Sequence, residues 1–191
     1  KGENEFLSCA VTPDGKVVLV PCNNLHLVVF NPADKSFEKL GHFKYERKFL
    51  CCVVTPDGKV VLVPYDYPHV VVFNSVDKSF EVLGHFEGET KFVSCAVTSD
   101  GKVVLVPYDY PHVVVFNPAD KSFEELGHFE GAHKFGSCAV TPDGEVVLVP
   151  RYYPRLLIFN PADKSFEEIG DFEGVSKFVS CAVTPDGKVV L

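Results

Sequence analysis

The sequence predicts an all-β repeat protein made of four-stranded antiparallel sheets, and three observations predict it. Cysteines recur every 43 residues, at Cys9, Cys52, Cys95, Cys138 and Cys181. Residues 48–90 and 91–133 are identical at 34 of 43 positions. Short apolar runs alternate with turn residues in every copy, and none has helical spacing or helix caps. We interpret the chain as one repeat domain, with full copies 5–47, 48–90, 91–133 and 134–176 and a partial copy 177–191.

Each copy is expected to form four short strands. An Asp-Gly pair between apolar runs is a strong hairpin signal, proline closes the second run, and the N-P-A-D-K-S segment supplies the next turn. In the third copy the predicted strands are Phe92–Thr98, Lys102–Val106, His112–Phe116 and Phe123 to about Phe129.

The faces of these strands predict how the sheets pack. The second and third strands, V-V-L-V and V-V-V-F, are apolar on both faces, so both faces must be covered. The first strand has small residues suited to a crowded inner end, and the fourth is polar and suited to an outer edge. Radially stacked sheets satisfy these demands, which predicts a β-propeller-type array. Its core should include Val104, Val106, Val114 and Phe116.

The repeat also resembles a known group of blades. The string F-V-S-C-A-V-T-P-D-G-K-V-V-L-V-P-Y-D-Y-P-H-V-V-V-F-N is similar to blades of NHL-type and kelch-like β-propellers. The chain departs from NHL blades in lacking an N-x-R at the start of the third strand. The resemblance covers the whole chain and implies the fold. Such propellers act as ligand-binding, scaffold or catalytic domains, so it does not assign a function.

The charge distribution argues against several partners. The chain has 26 acidic and 18 basic residues, a net charge of −8, and its lysines never cluster. Polyanion binding needs clustered cations, so nucleic acid is not expected as a partner. The apolar runs are far too short for a membrane span, so no membrane insertion is expected. The compartment is left open.

The cysteines and histidines are expected to be structural. Five of the seven cysteines occupy one repeat position in an apolar strand, as small buried hydrophobes. The alternative for the other two is a Cys22–Cys51 bridge. Without a C-x-x-C pair or converging histidines, we expect no metal and no cofactor. The histidines recur at two repeat positions, which we call the histidine ladders. One ladder is His26, His69 and His112, with Arg155 in the fourth copy; the other is His42, His85 and His128, with Asp171 in the fourth copy. The alternative to a structural role is a pH-sensitive interface.

The loop between the second and third strands is the candidate ligand site. Tyrosine faces beside a carboxylate stack on a sugar ring and accept its hydroxyl hydrogen bonds, so one loop per blade would give a multivalent lectin. The alternative is that the tyrosines pack the loop and the aspartate forms a turn. The candidate residues are Tyr65, Asp66, Tyr67, Tyr108, Asp109, Tyr110, Tyr152 and Tyr153; copy one has the divergent sequence C-N-N-L.

Catalysis is not expected from this sequence. An active site needs a singular set of tuned groups, and almost every polar residue here is duplicated at the repeat period. The sequence therefore predicts a non-enzymatic structural or scaffold propeller, with carbohydrate binding as the alternative. The fifth copy stops at Leu191, within an apolar second strand, which would leave an unpaired strand edge. We therefore expect further repeats or other copies of the chain to complete the fold, giving a homo-oligomer or a filament.

Overall fold

A computed structural model gives the fold and describes residues 3–191. This part of the chain forms 18 β-strands and no helix, so it contains no helix capable of crossing a membrane. The strands form four antiparallel sheets of four strands and one of two. The chain divides into two compact units: unit 1 ends at Lys91, and unit 2 begins at Phe92.

Unit 1 contains two blades. Blade 1 consists of β1 (Phe6–Val11), β2 (Val17–Pro21), β3 (Leu27–Asn31) and β4 (Ser36–Leu40). Blade 2 consists of β5 (Phe49–Val54), β6 (Val60–Pro64), β7 (Val70–Asn74) and β8 (Ser79–Leu83). In both blades the strands pair in chain order, so every connection is a hairpin.

Unit 2 repeats this arrangement. Blade 3 consists of β9 (Phe92–Val97), β10 (Val103–Pro107), β11 (Val113–Asn117) and β12 (Ser122–Leu126). Blade 4 consists of β13 (Phe135–Val140), β14 (Val146–Pro150), β15 (Leu156–Asn160) and β16 (Ser165–Ile169). The partial fifth copy forms only the hairpin of β17 (Ala182–Val183) and β18 (Val189–Val190). Each blade is therefore one copy of the repeat, as predicted.

The predicted Asp-Gly turns form in every copy. In blade 1, the N–H of Gly15 donates to the carbonyl of Thr12, and the N–H of Thr12 donates to the carbonyl of Lys16, both at 2.9 Å. Gly15 has a φ of +79°, which a residue with a side chain rarely adopts. The Asp-Gly pair thus fixes the register of the first hairpin.

The core of each unit lies between its blades. In unit 1, the face of β2 and β3 that carries Val18, Val20 and Val29 packs on blade 2 residues Phe49, Val60, Leu62 and Phe73. In unit 2, the equivalent face of blade 3 packs on the equivalent residues of blade 4. Strands β6, β10 and β14 are buried at all five positions, so the prediction that both faces are covered is confirmed. The four residues predicted for the core of blade 3 are fully buried: Val104, Val106, Val114 and Phe116.

The inner and outer strands also match the prediction. The first strands of neighbouring blades, β1 with β5 and β9 with β13, are in contact. The fourth strand is the sheet edge in every blade. It ends earlier than predicted, at Leu126 in blade 3, because Gly127 adopts a φ of +64° and turns the chain. Phe129 then lies in the core instead of continuing the polar outer strand.

The cysteine prediction needs correction. Of the five repeat cysteines, Cys9 is exposed and the other four are only partly buried, whereas Cys22 is buried. The reason is their place on the first strands, which are sheet edges and have a hydrogen-bonded neighbour strand on one side only. The Ser94 hydroxyl lies 3.4 Å from the Cys138 sulfur. Burial raises the pKa of the Cys138 thiol to about 12. Cys22 and Cys51 are both free thiols.

We expect Phe116→Ala to lower the free energy of unfolding by about 3–5 kcal/mol, because the ring is fully buried and its removal leaves a cavity. The control is Val76→Ala, since that side chain is 90% exposed in a turn; it should cost less than about 1 kcal/mol. Urea unfolding followed by circular dichroism measures both. Equal losses in the two variants would contradict the assignment of the third strand to the core.

Candidate functional site

The tyrosine loops lie where the linkers between blades also run. In unit 1, the backbone N–H of Tyr65 donates to the carbonyl of Lys48 at 2.7 Å, and the N–H of Lys91 donates to the carbonyl of Tyr65 at 3.0 Å. The loop of blade 2 is therefore bonded both to the linker that enters the blade and to the linker that leaves it. In unit 2, the N–H of Lys134 donates to the carbonyl of Tyr108 at 2.9 Å in the same way.

The lysines in these bonds, Lys48, Lys91 and Lys134, are the linker lysines, and each is at most 1% exposed. Each ammonium group donates to the carbonyl of the residue three positions earlier, at 2.6 Å for Lys91 and 2.8 Å for Lys134. Burial lowers the pKa of all three. A buried ammonium group is unfavourable unless it is hydrogen-bonded, so these residues fix the linker in one conformation.

The loop aspartates bind the same linkers. Asp66 Oδ1 accepts a hydrogen bond from the N–H of Thr90 at 2.7 Å, and Asp109 Oδ1 accepts one from the N–H of His133 at 2.5 Å. Asn23 makes the equivalent bond in blade 1. Thr90 and His133 have φ values of +51° and +53°, so the bond holds a strained backbone position. One oxygen of each predicted ligand-binding carboxylate is thus committed to the linker.

The second tyrosine of each loop packs inward. Its ring lies on the phenylalanine that begins the first strand of the same blade, with centroids 5.1 Å apart for Tyr67, 4.9 Å for Tyr110 and 5.1 Å for Tyr153. Burial raises the pKa of Tyr67, and burial with a hydrogen bond to Glu168 raises the pKa of Tyr153 to about 12. The hydroxyl of Tyr110 donates to Glu125 in the same manner. These rings fill space between strands and loops.

A groove of about 520 Å³ opens in unit 1 beside the loop of blade 2. We call it the unit 1 groove. Tyr45, which is 51% exposed, contributes an aromatic ring to its lining. Arg47 Nε is held at 2.9 Å by Asp66 Oδ2. Its lining consists of Tyr45, Glu46, Arg47, Asp66, Pro68, His85, Phe86, Glu87, Gly88 and Glu89.

A second cluster lies in unit 2, between the loops of blades 3 and 4. The ring of His133 is stacked on Tyr108, with centroids 4.6 Å apart and planes at 19°, and lies 5.4 Å from the ring of Tyr152. The guanidinium of Arg151 is 5.5 Å from the centre of the Tyr108 ring. We call these four residues the unit 2 cluster. It combines stacked aromatic rings with a fixed cation.

The two histidine ladders meet inside the blades. The ring centroids are 5.4 Å apart for His26 and His42, and the equivalent pairs of blades 2 and 3 are similarly close. Because a carbonyl only accepts, Nδ1 of His26 is the donor to the carbonyl of Gly41, at 2.6 Å. In blade 4 the pair is replaced, and Arg155 binds Glu168 at 2.7 Å. Residues 3–191 contain no group of three or more side chains placed to hold a metal.

The eight predicted residues are distributed over the loops of three blades, as one candidate site per blade requires. Three belong to unit 1 and five to unit 2, and only Asp66 lines the unit 1 groove. Sequence reasoning missed Tyr45, Arg47, His133 and Arg151. Their signal was present, because all four stand at positions where the copies differ from one another.

The comparisons with known proteins find structural matches only. No protein-family model and no curated protein matches the chain. Virginiamycin B lyase from Staphylococcus aureus matches with a TM-score of 0.84 at 10% identity, over 99% of this chain and 63% of that one. A streptogramin B lyase structure gives 0.82 at 10%, over 97% and 61%. Kuenenia stuttgartiensis hydrazine synthase gives 0.74 at 14%, over 99% and 56%.

The chain thus spans less than two thirds of the length of each of these proteins. At such low identity the likeness shows the fold alone. It agrees with the blades described above, and the fold is an all-β, propeller-type array of four-stranded antiparallel blades.

The prediction that the chain is not an enzyme is wrong, because it was deduced from the repeats alone. The same fold carries a lyase, and one matching structure is a catalytically inactive variant of virginiamycin B lyase with quinupristin. The deduction assumed that duplicated residues cannot form a singular site. The unit 2 cluster shows the flaw, because substitutions in single copies place Arg151, His133 and Tyr152 together.

We expect the linker lysines to make stability depend on pH. Burial lowers the pKa of Lys91 in the folded chain from its usual 10.5, so the unfolded chain binds the proton more tightly. The free energy of unfolding should therefore rise as the pH increases from the folded-state pKa toward 10.5. In Lys91→Met this contribution is removed, so the stability of the wild type relative to the variant should grow with pH.

Urea unfolding at several values between about pH 7 and pH 10 measures this difference. Lys39→Met is the control, because it removes a lysine from the exposed outer strand without touching a linker. A difference between wild type and Lys91→Met that stays constant over the range would rule out the buried ammonium as its source.

Proposed function

We propose that this chain is a structural repeat protein, a single repeat domain that assembles with further blades of its own kind, including blades of a second copy. The observation that carries the proposal is the contrast between blades 1 and 2. In blade 2, Cys52, Val54 and Phe80 pack against the core of unit 1. Their equivalents in blade 1, Cys9, Val11 and Phe37, are exposed.

The exposed residues belong to one apolar face. Val11 is 61% and Phe37 67% exposed. Blade 2 has the same face, and there it is covered by blade 1. The covering residues are Val18, Val20 and Val29, which lie on the opposite face of blade 1. A face that fits a blade in one place will fit an equivalent blade elsewhere, because the repeats present nearly the same side chains. Burial of apolar area supplies the driving force.

The resemblance of the repeat to NHL-type and kelch-like blades is part of this proposal. Its support is the shared order of an apolar strand, an Asp-Gly turn, a second apolar strand and a third strand that ends in F-N. Scaffold members of those groups would then be the functional parallel.

We expect the chain to self-associate with rising concentration. The test is sedimentation velocity over the micromolar range for the wild type and for a Val11→Asp/Phe37→Asp variant. Two carboxylates on the face should abolish association, because they would have to lose their water on burial. Val76→Asp is the matched control, since Val76 is 90% exposed in a turn. A wild type that stays monomeric, or a control that dissociates equally, would contradict the proposal.

Carbohydrate binding is the second candidate, and the unit 1 groove favours it. Its volume of about 520 Å³ suits a small ligand. The ring of Tyr45 offers a face for a sugar ring, and Glu46, Glu87 and Glu89 offer acceptors for its hydroxyl groups. The groove replaces the tyrosine loops as the centre of this alternative, since the rings of Tyr67 and its equivalents pack inward.

For this alternative we expect Tyr45→Ala to abolish binding of any sugar found on a glycan array, with isothermal titration as the measurement. Tyr152→Ala is the control, because it removes an exposed tyrosine that does not line the groove. An array without hits, or equal loss in both variants, would exclude the groove as a sugar site.

A further inference from the structure

The fourth copy departs from the repeat at positions that come together in space. Arg151 stands where the two preceding copies have Tyr65 and Tyr108, and Tyr152 stands where they have aspartate. Gly136 stands where the other copies have leucine or valine. Arg151 and Tyr152 are consecutive, and Gly136, which comes earlier on the first strand of the same blade, also lies beside Arg151.

Gly136 leaves room for the chain that follows blade 4. A Cβ atom added to Gly136 would lie 3.0 Å from the carbonyl oxygen of Phe178, which is tighter than normal contact, and 3.7 Å from Cβ of Arg151, which is ordinary contact. A valine, which the third copy has here, would crowd that carbonyl. Gly136 therefore accommodates the Phe178 backbone and is a neighbour of the Arg151 side chain.

The three arginines of the chain differ in their partners. Arg47 is paired with Asp66 at 2.9 Å, and Arg155 is paired with Glu168 at 2.7 Å. No carboxylate within residues 3–191 forms an ion pair with Arg151, and its Nε is buried without a hydrogen-bond partner. Leaving a guanidinium NH group desolvated and unpaired is unfavourable, and an anionic ligand would relieve that cost.

One further cation lies on the loop that carries Arg151. The ammonium group of Lys177 lies 3.2 Å from the carbonyl oxygens of both Tyr152 and Tyr153. Asp109 is the acidic group of this region: its Oδ1 accepts the N–H of His133, and its Oδ2 lies 3.9 Å from Nε2 of His133. Asp109 thus faces His133 and forms no ion pair with Arg151, so the guanidinium keeps its charge available for an anion.

The aromatic rings define the rest of the ligand. Tyr152 is 37% exposed, and its neighbour His133 is partly exposed, so a planar group has rings to lie on. A guanidinium pairs with a carboxylate through two parallel hydrogen bonds. We propose that the unit 2 cluster binds a small aromatic carboxylate, with its carboxylate on Arg151 and its ring against Tyr152.

Isothermal titration of the full chain with benzoate tests this site, with benzamide as the neutral molecule of the same shape. We expect saturable benzoate binding, and affinity about tenfold to a hundredfold weaker in Arg151→Gln, since a hydrogen bond to a charged group is lost. Benzamide should bind the wild type more weakly than benzoate by a similar factor.

Arg155→Gln is the matched control and should bind benzoate as the wild type does. A circular dichroism melt of each variant shows whether it is folded. If Arg151→Gln does not fold, Tyr152→Ala serves instead: it should weaken benzoate binding while leaving acetate binding unchanged. The proposal is overturned if benzoate does not saturate the wild type, if benzamide binds equally well, or if Arg155→Gln loses as much affinity as Arg151→Gln.

Discussion

A four-stranded blade that is apolar on both faces cannot be stable alone, and this constraint governs the rest of the structure. Strands such as β6 and β10 place every residue in the buried interior. Neighbouring blades must therefore lie face to face, and the chain between them must return to the same end of each sheet. The linker lysines meet this second demand, because their backbone groups join the loop of one blade to the next linker.

The linkers explain why polar residues survive in so apolar a chain. Three buried ammonium groups and the loop aspartates all serve backbone atoms of the linkers, including positions with positive φ. Each polar group is costly where it is buried, yet each satisfies a backbone group that has no partner in a sheet. The tyrosines between them add packing area. The end of the blade that carries the loops and linkers therefore has a structural role. A ligand site at this end has to use side chains that do not bond to the linker backbone.

Much of the fold could be predicted from the sequence, because strands and turns follow from local chemistry repeated five times. The Asp-Gly turn, the proline at the strand end and the two-faced apolar runs predicted the order of strands and the core residue Phe116 correctly. The early end of the fourth strand could not be predicted, since it depends on the conformation of Gly127 and on space for Phe129. The exposure of Cys9 depends on which blades are neighbours, which a residue pattern does not contain.

The candidate sites were less predictable for a related reason. Repetition drew attention to the tyrosine loops, but Tyr67 recurs as Tyr110 and Tyr153 because the ring has the same packing role in those three copies. The residues with the most distinctive surroundings, Arg47 and Arg151, occur once each, and only tertiary contacts reveal what they face. Arg47 has a carboxylate partner and Arg151 does not, although both lie beside a tyrosine ring.

The repeated linker lysine also bears on how such a gene changes. Because Lys48 and Lys134 each bond to the loops on either side through backbone atoms, the joint of one 43-residue unit is formed in the same way as the joint of another. Duplication or deletion of a whole unit by unequal recombination would create no junction that the protein does not already contain. A chain with one blade more or fewer would then keep the same joints, while a substitution in a single copy, such as Arg151, gives one loop a chemistry of its own.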